Sequence, residues 1–177
     1  MNSFSLSFTI TIILIISSFF LPFSSCDSIQ NVCKTTPNPQ LCSSILRSNP
    51  RSKSADITTL SLIMVDEVKS KVNSALQIIS KLEKSNPKQK DALSDCKRRL
   101  SVVEKYDVGV AIEALNKGDD KFAVDSMNDA SIEAQICEEN LKTKKMNNND
   151  YYSSMSKMNK DVQDYSLVAA AIMKLLL

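Results

Sequence analysis

Apolar residues recur every three or four positions along most of this 177-residue chain, a spacing typical of helices that bury one face. The first such stretch runs from Ala55 to Lys84. Its apolar stripe consists of Ile57, Leu60, Met64, Val68, Val72, Leu76, Ile79 and Leu82. Pro87 follows shortly after, and proline disfavours a helical conformation in the residue before it. The pattern therefore predicts one long amphipathic helix that ends near Ser85.

A second and a third helix are predicted from the next two stripes. The second helix runs from Lys90 to Lys117, and its stripe consists of Leu93, Cys96, Leu100, Val103, Val110 and Ala114. Gly118 stands where a left-handed C-terminal cap belongs, and Asp119 is suited to cap the helix that follows. The stripe of this third helix consists of Ala123, Met127, Ala130, Ala134, Cys137 and Leu141.

A fourth helix is predicted after a polar loop at Lys142–Asp150. Its stripe consists of Met155, Met158, Val162, Tyr165, Ala169, Ile172 and Leu176. Four antiparallel helices with short connections form an up-down-up-down bundle. The predicted fold class is therefore all-α.

Two short helical pieces precede this bundle. The first holds the apolar residues Ile29 and Val32, and the second opens at Asn38-Pro39, a capping residue followed by proline in the first helical position. We expect the two pieces to form a small helical hairpin in front of the four-helix bundle.

The first 26 residues carry no charged side chain and hold an apolar core. Small residues at Ser24 and Cys26 fit the pattern before a signal-peptide cleavage site. Residues 1–26 are therefore predicted to be a secretory signal peptide, cleaved before Asp27, with residues 27–177 forming the mature domain. Two serines and a proline near the end of the leader disfavour the alternative, a membrane anchor. No stable membrane association is expected after cleavage.

Cleavage removes Cys26 and leaves four cysteines, an even number typical of disulfides in secreted proteins. Four cysteines allow three pairings. We predict the sequential one, in which Cys33–Cys42 closes the hairpin and Cys96–Cys137 joins the core-facing stripes of the second and third helices. The other pairings would tie the hairpin to the core of the bundle.

Composition argues against catalysis and against nucleic-acid binding. The chain has 22 basic and 20 acidic residues, a net charge of +2, without basic clusters interleaved with aromatics. It contains no histidine, the commonest general base and metal ligand, and no glycine-rich phosphate loop. The adjacent acids Asp66-Glu67 and Glu138-Glu139 are interpreted as solvated helix faces rather than as acid–base pairs. We therefore predict a protein that is not an enzyme, with no cofactor, metal or nucleic-acid partner.

One aromatic residue of the third helix does not fit its stripe. Phe122 falls on the polar face, which also carries Asp125, Ser126, Asp129 and Glu133. Gly118, just before the cap, has no side chain against which Phe122 could form a hydrophobic staple. An exposed phenylalanine beside Lys121 at a helix start is typical of an interface anchor. The alternative is that Phe122 folds over a neighbouring loop.

Several short segments together carry a family signature. They are Cys33 to Cys42 (CKTTPNPQLC), Asp56 to Leu60 (DITTL), Ile63 to Asp66 (IMVD), Ser85 to Pro87 (SNP), Glu113 to Leu115 (EAL) leading to Lys117 to Asp119 (KGD), and Cys137 to Glu139 (CEE). With them the chain resembles the plant invertase and pectin methylesterase inhibitor family over about residues 29–177, and most of all its cell-wall invertase inhibitor branch. The resemblance implies a four-helix bundle preceded by a helical hairpin, with two disulfides.

The resemblance also implies a binding site. In the invertase-directed branch a Pro-Lys-Phe motif at a helix start docks into the substrate cleft of the enzyme, and here the motif reads Asp120-Lys121-Phe122. It implies that Lys121 pairs with acids of the cleft and that Phe122 contacts its wall. Asp120 replaces the proline and places a negative charge beside the lysine. The implied partner is a secreted acid invertase (β-fructofuranosidase) of the apoplast or cell wall, or of the vacuole, bound 1:1 by a monomer.

Two other functions compete with invertase inhibition. A pectin methylesterase inhibitor would share the fold but bind through helix faces. The absence of tryptophan favours the invertase-directed branch, because many esterase-directed members are expected to carry one. A carrier of a small apolar ligand would need a roomy cavity, whereas the well-filled stripes predict a packed core.

Overall fold

The computed structural model describes residues 25–85, 87–143 and 150–177, and these residues fold almost entirely into helices. The α-helices are α1 (Ser25–Cys33), α2 (Pro39–Ser48), α3 (Ile57–Ser85), α4 (Lys90–Val102), α5 (Val108–Lys117), α6 (Asp120–Thr143) and α7 (Asp150–Met173). Short 3-10 turns lie at Pro50–Ser54, Pro87–Gln89 and Lys174–Leu176, and a π-helical segment at Val103–Asp107 joins α4 to α5. In these ranges no helix is both long and apolar enough to span a bilayer. The predicted signal peptide lies outside them up to residue 24.

Helices α3 to α7 form the predicted bundle, with α4, the π-helical segment and α5 acting together as its second helix. Helix α3 packs against α4 and α7, and α6 packs against α4, α5 and α7. Each of the four long helices therefore has two neighbours, as in an up-down-up-down arrangement. The predicted all-α four-helix bundle is confirmed.

The core is built from the predicted stripes. All six stripe positions of α6 are completely buried, as are Met64, Val68 and Ile79 of α3. Each fully buried Val, Leu, Ile or Met side chain contributes about 1.5–3 kcal/mol relative to an exposed one. The apolar periodicity of the sequence therefore reports directly on the faces that hold the bundle together.

The prediction for Val110 is wrong, because the second helix is not α-helical throughout. Val103 is buried and the next core residue is Val108, five positions later, because one π turn takes up an additional residue. Ala111 is buried after it, and Val110 is turned outward with 43% of its surface exposed. The π-helical segment thus moves the buried stripe of α5 by one residue.

The N-terminal hairpin and both disulfides are as predicted. Helix α2 starts at Pro39, and the side chain of Asn38 accepts a hydrogen bond from the backbone N–H of Leu41 at 3.1 Å. Cys33 is bonded to Cys42, with 5.5 Å between their Cα atoms. Cys96 is bonded to Cys137, with 4.6 Å between their Cα atoms, and this bond joins α4 to α6.

Helix ends differ from the predictions by a few residues. Helix α3 starts at Ile57 rather than Ala55, because the side chain of Asp56 accepts a hydrogen bond from the Thr59 N–H at 2.8 Å and caps the helix. Of the predicted loop Lys142–Asp150, the first two residues still belong to α6, and the last begins α7. Residues 144–149 lie outside the described ranges.

Candidate functional site

The first turn of α6 is positioned by a tight corner after α5. Gly118 adopts a left-handed conformation, with φ at 75°, as predicted for a C-terminal cap. Its N–H donates to the carbonyl of Leu115 at 3.4 Å, and the N–H of Asp119 donates to the carbonyl of Ala114 at 2.9 Å. A side chain at position 118 would be strained at this φ, so glycine allows the chain to reverse within one residue.

Asp119 then starts α6 through its backbone. Its carbonyl accepts hydrogen bonds from the N–H groups of Phe122 at 3.0 Å and Ala123 at 3.3 Å. Asp120 is the first helical residue and is partly buried, so its carboxylate lies near the positive end of the helix dipole. The corner and the cap fix the backbone on which the three predicted partner-binding residues lie.

Lys121 and Phe122 both project into solvent from this turn. Phe122 is 64% exposed, so it does not fold over a neighbouring loop. The Lys121 side chain is 77% exposed and its ammonium group lies 2.9 Å from the carboxylate of Asp125, one turn along the helix. Ser126 departs from the predicted polar face, since it is buried and its hydroxyl donates to the carbonyl of Phe122 at 2.8 Å.

A groove of about 230 Å³ lies beside Phe122, between α5 and α6. Val110 and Ala114 form its apolar side together with Phe122. Glu113 and Lys117, 2.5 Å apart, form an ion pair on the α5 side. Val110 was missed as a surface residue because it matches the α-helical period of the core stripe. No signal in the sequence reveals the π turn that brings it next to Phe122.

Three acidic side chains lie close together where the π-helical segment meets α6. Burial, together with the charges of Asp129 and Glu133, raises the pKa of Asp107 to about 6. One carboxylate oxygen of Asp107 is buried without a hydrogen-bond partner. Glu133 is held by Arg99 at 2.8 Å. This region therefore favours a protonated Asp107 in mildly acidic conditions.

Glu138, in the C-terminal half of α6, is not the solvated acid that the sequence suggested. Its carboxylate accepts hydrogen bonds from the hydroxyls of Tyr152 and Ser156, both at 2.8 Å, and from the side-chain amide of Asn159 at 3.3 Å. Burial acts to raise the pKa of Glu138, but these hydrogen bonds outweigh it and keep the pKa below its usual value. Glu138 thus joins α6 to α7 through three hydrogen bonds.

Comparison with known proteins agrees with this architecture. The sequence model of the family described as plant invertase/pectin methylesterase inhibitor matches residues 27–172. An Arabidopsis thaliana protein named cell wall / vacuolar inhibitor of fructosidase 1 is 43% identical over 110 residues, which cover 62% of this chain and 54% of that protein. The matched part therefore spans about half the length of this curated relative.

Two solved structures have a similar fold. One is a crystal structure of a mutant form of a pectin methylesterase inhibitor from Arabidopsis, with a TM-score of 0.72 and 20% identity, covering 84% of this chain and 97% of that one. The other is a pectin methylesterase inhibitor from Arabidopsis thaliana, with a TM-score of 0.63 and 19% identity, covering 85% and 97%. At these identities the likeness concerns the fold alone.

Proposed function

Since the chain belongs to the plant invertase/pectin methylesterase inhibitor family, a family of inhibitors and not of enzymes, we propose that it inhibits an acid invertase by placing Lys121 and Phe122 in the substrate cleft. The relative that is 43% identical is named an inhibitor of fructosidase, which supports invertase as the target class. The observation that carries the mechanism is the 64% exposure of Phe122 beside a largely exposed lysine, on a helix start fixed by the Gly118 corner.

The chemistry of a glycosidase cleft suits this pair of side chains. Such clefts hold two carboxyl groups on either side of the scissile bond. The ammonium group of Lys121 would exchange its ion pair with Asp125 for a carboxylate of the cleft. An exposed ion pair of this kind contributes only about 0–1 kcal/mol, so its loss costs little. Inside a cleft from which water is excluded, the new pair would be stronger.

Phe122 supplies the apolar part of the proposed contact. Aromatic side chains that fill a pocket near the centre of an interface are typical hot spots. Val110 and Ala114 extend the apolar surface across the groove between α5 and α6. Asp120 opposes binding, because it brings a negative charge towards an acidic cleft. Residues around the Gly118 corner between α5 and α6 would supply the rest of the contact surface.

We further propose that the chain acts as a monomer in a 1:1 complex outside the cytosol, in the cell wall or the vacuole. Two disulfides are typical of oxidising compartments. The name of the relative includes both the cell wall and the vacuole.

Parallel titration against two enzymes tests the proposal. The purified protein is titrated into an acid invertase and into a pectin methylesterase, and the residual activity of each is measured. We expect saturable inhibition of the invertase at a ratio of one to one and no inhibition of the esterase. Inhibition of the esterase without inhibition of the invertase would instead favour binding through helix faces.

A further inference from the structure

One segment of the chain carries basic side chains without acidic ones. Residues 28–55 contain four of the 22 basic residues and none of the 20 acidic ones, so this segment carries +4 and the rest of the chain −2. The segment comprises most of the N-terminal hairpin and the 3-10 turn that leads to α3. The N-terminal hairpin and the turn after it are therefore locally basic, with Asp27 and Asp56 directly at the two ends of the segment.

A groove of about 340 Å³ lies within this basic segment, between the end of α2, the 3-10 turn and α1. The buried side chains of Ile29 and Leu46 line its inner part, and Pro50 lines it from the turn. Arg47 and Lys53 stand at its edge, and both are exposed. The groove thus combines an apolar wall with two cations.

Arg47 and Lys53 are free to bind a ligand, because the neighbouring carboxylates of the described residues do not pair with them. Arg51 is bound to Asp66 of α3 at 2.6 Å, which fixes the turn on the bundle. Among the described side chains of this region, which begin at residue 28, no carboxylate lies within ion-pair distance of Arg47 or Lys53. Ser52 also lines the groove, and its hydroxyl is buried without a hydrogen-bond partner in the structure. The hydroxyl of Ser52 is therefore an unpaired buried group beside two exposed cations, although buried polar groups are usually hydrogen-bonded.

We propose that this groove binds the carboxylate groups of an acidic polysaccharide. A guanidinium group binds a carboxylate through two parallel hydrogen bonds, and Lys53 would neutralise a second charge along the polymer. Pro50 is exposed in the groove lining and offers an apolar contact for the carbon face of a sugar ring. The described lining contains no aromatic side chain on which a nucleobase could stack, which favours a sugar over a nucleic acid.

This inference takes only the extracytosolic location from the proposed function. A protein that reaches a plant cell wall meets uronic acid polymers there, and this site would hold it on them. The groove lies on the hairpin side of the molecule, on elements other than α5 and α6, which carry the Phe122 site. Binding to the polymer and binding to an enzyme are therefore separable by substitution.

The test measures binding of the full-length mature protein to polygalacturonate at about 0.1 M salt, where the screening length is about 10 Å. The variant Arg47→Gln/Lys53→Gln is compared with the parent and with Lys81→Gln/Lys84→Gln. The control removes the same charge from two exposed lysines of α3. We expect the groove variant to bind about tenfold more weakly or worse, because it loses charge-assisted hydrogen bonds. The control should lose about threefold at most, through long-range attraction alone.

Two further binding experiments distinguish specific binding at this groove from a general attraction of the protein to anions. Neutral dextran should not bind, and duplex DNA of equal charge should compete poorly with polygalacturonate. Equal losses in the two double variants, no binding by the parent, or equal competition by DNA would each overturn the proposal. Invertase inhibition measured without polysaccharide should be the same for the groove variant and the parent. Failure of the enzyme-inhibition proposal would therefore not be mistaken for failure of this one.

Discussion

The two ends of helix α6 differ in how they are held and in what they expose. At its start, Lys121 and Phe122 project into solvent and only a surface ion pair restrains their side chains. Towards its end, Cys137 is completely buried and bonded to Cys96, and Glu138 accepts hydrogen bonds from three side chains of α7. The same helix thus carries a cross-linked structural end and an exposed end.

Because of this difference, we expect stability and the proposed binding to depend on different residues of α6. Phe122 is 64% exposed and gains little from burial in the free protein, so we expect the fold not to require it. The disulfide and the Glu138 hydrogen bonds attach the helix to its neighbours, and we expect this attachment to lower the entropic cost of binding. Substitutions at the buried end should therefore change the melting temperature, and substitutions at the exposed end should change inhibition.

The largest expected effect on stability comes from removing the Cys96–Cys137 disulfide. A closed loop spanning 41 positions contributes about 4 kcal/mol, and the Cys33–Cys42 loop spanning nine contributes about 3 kcal/mol. Changing Cys96 and Cys137 to serine should lower the melting temperature more than the same change at Cys33 and Cys42. Thermal unfolding of the two variants side by side decides this. A larger drop for the hairpin variant would contradict the account.

The next effect concerns Glu138. Glu138→Ala would leave the hydroxyls of Tyr152 and Ser156 and the amide of Asn159 without this acceptor, at a cost of about 2 kcal/mol in unfolding free energy. Urea unfolding measures the loss. Glu139→Ala is the matched control, because Glu139 is the adjacent acid and is exposed. Equal losses in the two variants would mean that the Glu138 hydrogen bonds do not stabilise the bundle.

Substitution of Asp107, in contrast, is expected to increase stability. Its pKa in the folded protein is about 6, above the usual value of about 3.9 for aspartate. The folded state therefore binds the proton more tightly, and stability falls as pH rises from about 4 to about 6. Asp107→Asn removes this penalty and should raise stability at pH 7 by about 1–2 kcal/mol, with little change at pH 4. Equal shifts at both pH values in thermal unfolding would refute this assignment.

A smaller effect is expected at the exposed end. Asp120→Pro places proline in the first helical position, where no helical N–H is needed, and removes a negative charge beside Lys121. Invertase inhibition should strengthen by about 1 kcal/mol or less, and the gain should shrink in high salt. Inhibition constants at low and high salt measure both. A gain that salt leaves unchanged would point to the stiffer backbone rather than to the charge.

The core was predictable from the sequence because burial follows helical periodicity over many residues. All six stripe positions of α6 were placed correctly, and so were both disulfides. Val110 was misplaced because a single π turn shifts the period locally without a recognisable sequence signal. The wrong prediction for Val110 therefore comes from the backbone geometry of the second helix and not from the hydrophobic character of its residues.

The candidate site was only partly predictable. Phe122 was placed outside the core because it lies off the stripe, and the structure agrees. Glu138 was misjudged because three of its hydrogen-bond donors lie on α7, 14 to 21 residues further along the chain. Contacts between helices of this kind depend on how the helices pack, and the period of one helix carries no information about them.

The central claim is that Lys121 and Phe122 bind the invertase cleft, and one comparison of inhibition constants tests it most directly. Lys121→Ala and Phe122→Ala are titrated against an acid invertase beside Ile132→Ala. Ile132 is also an exposed apolar residue of α6, at 51%, but it lies about three turns from the site.

We expect each of the first two variants to weaken inhibition by about 2 kcal/mol or more, with an almost unchanged melting temperature. Ile132→Ala should inhibit as the parent does. If Lys121→Ala and Phe122→Ala inhibit as well as the parent, the proposed contact with the cleft is wrong.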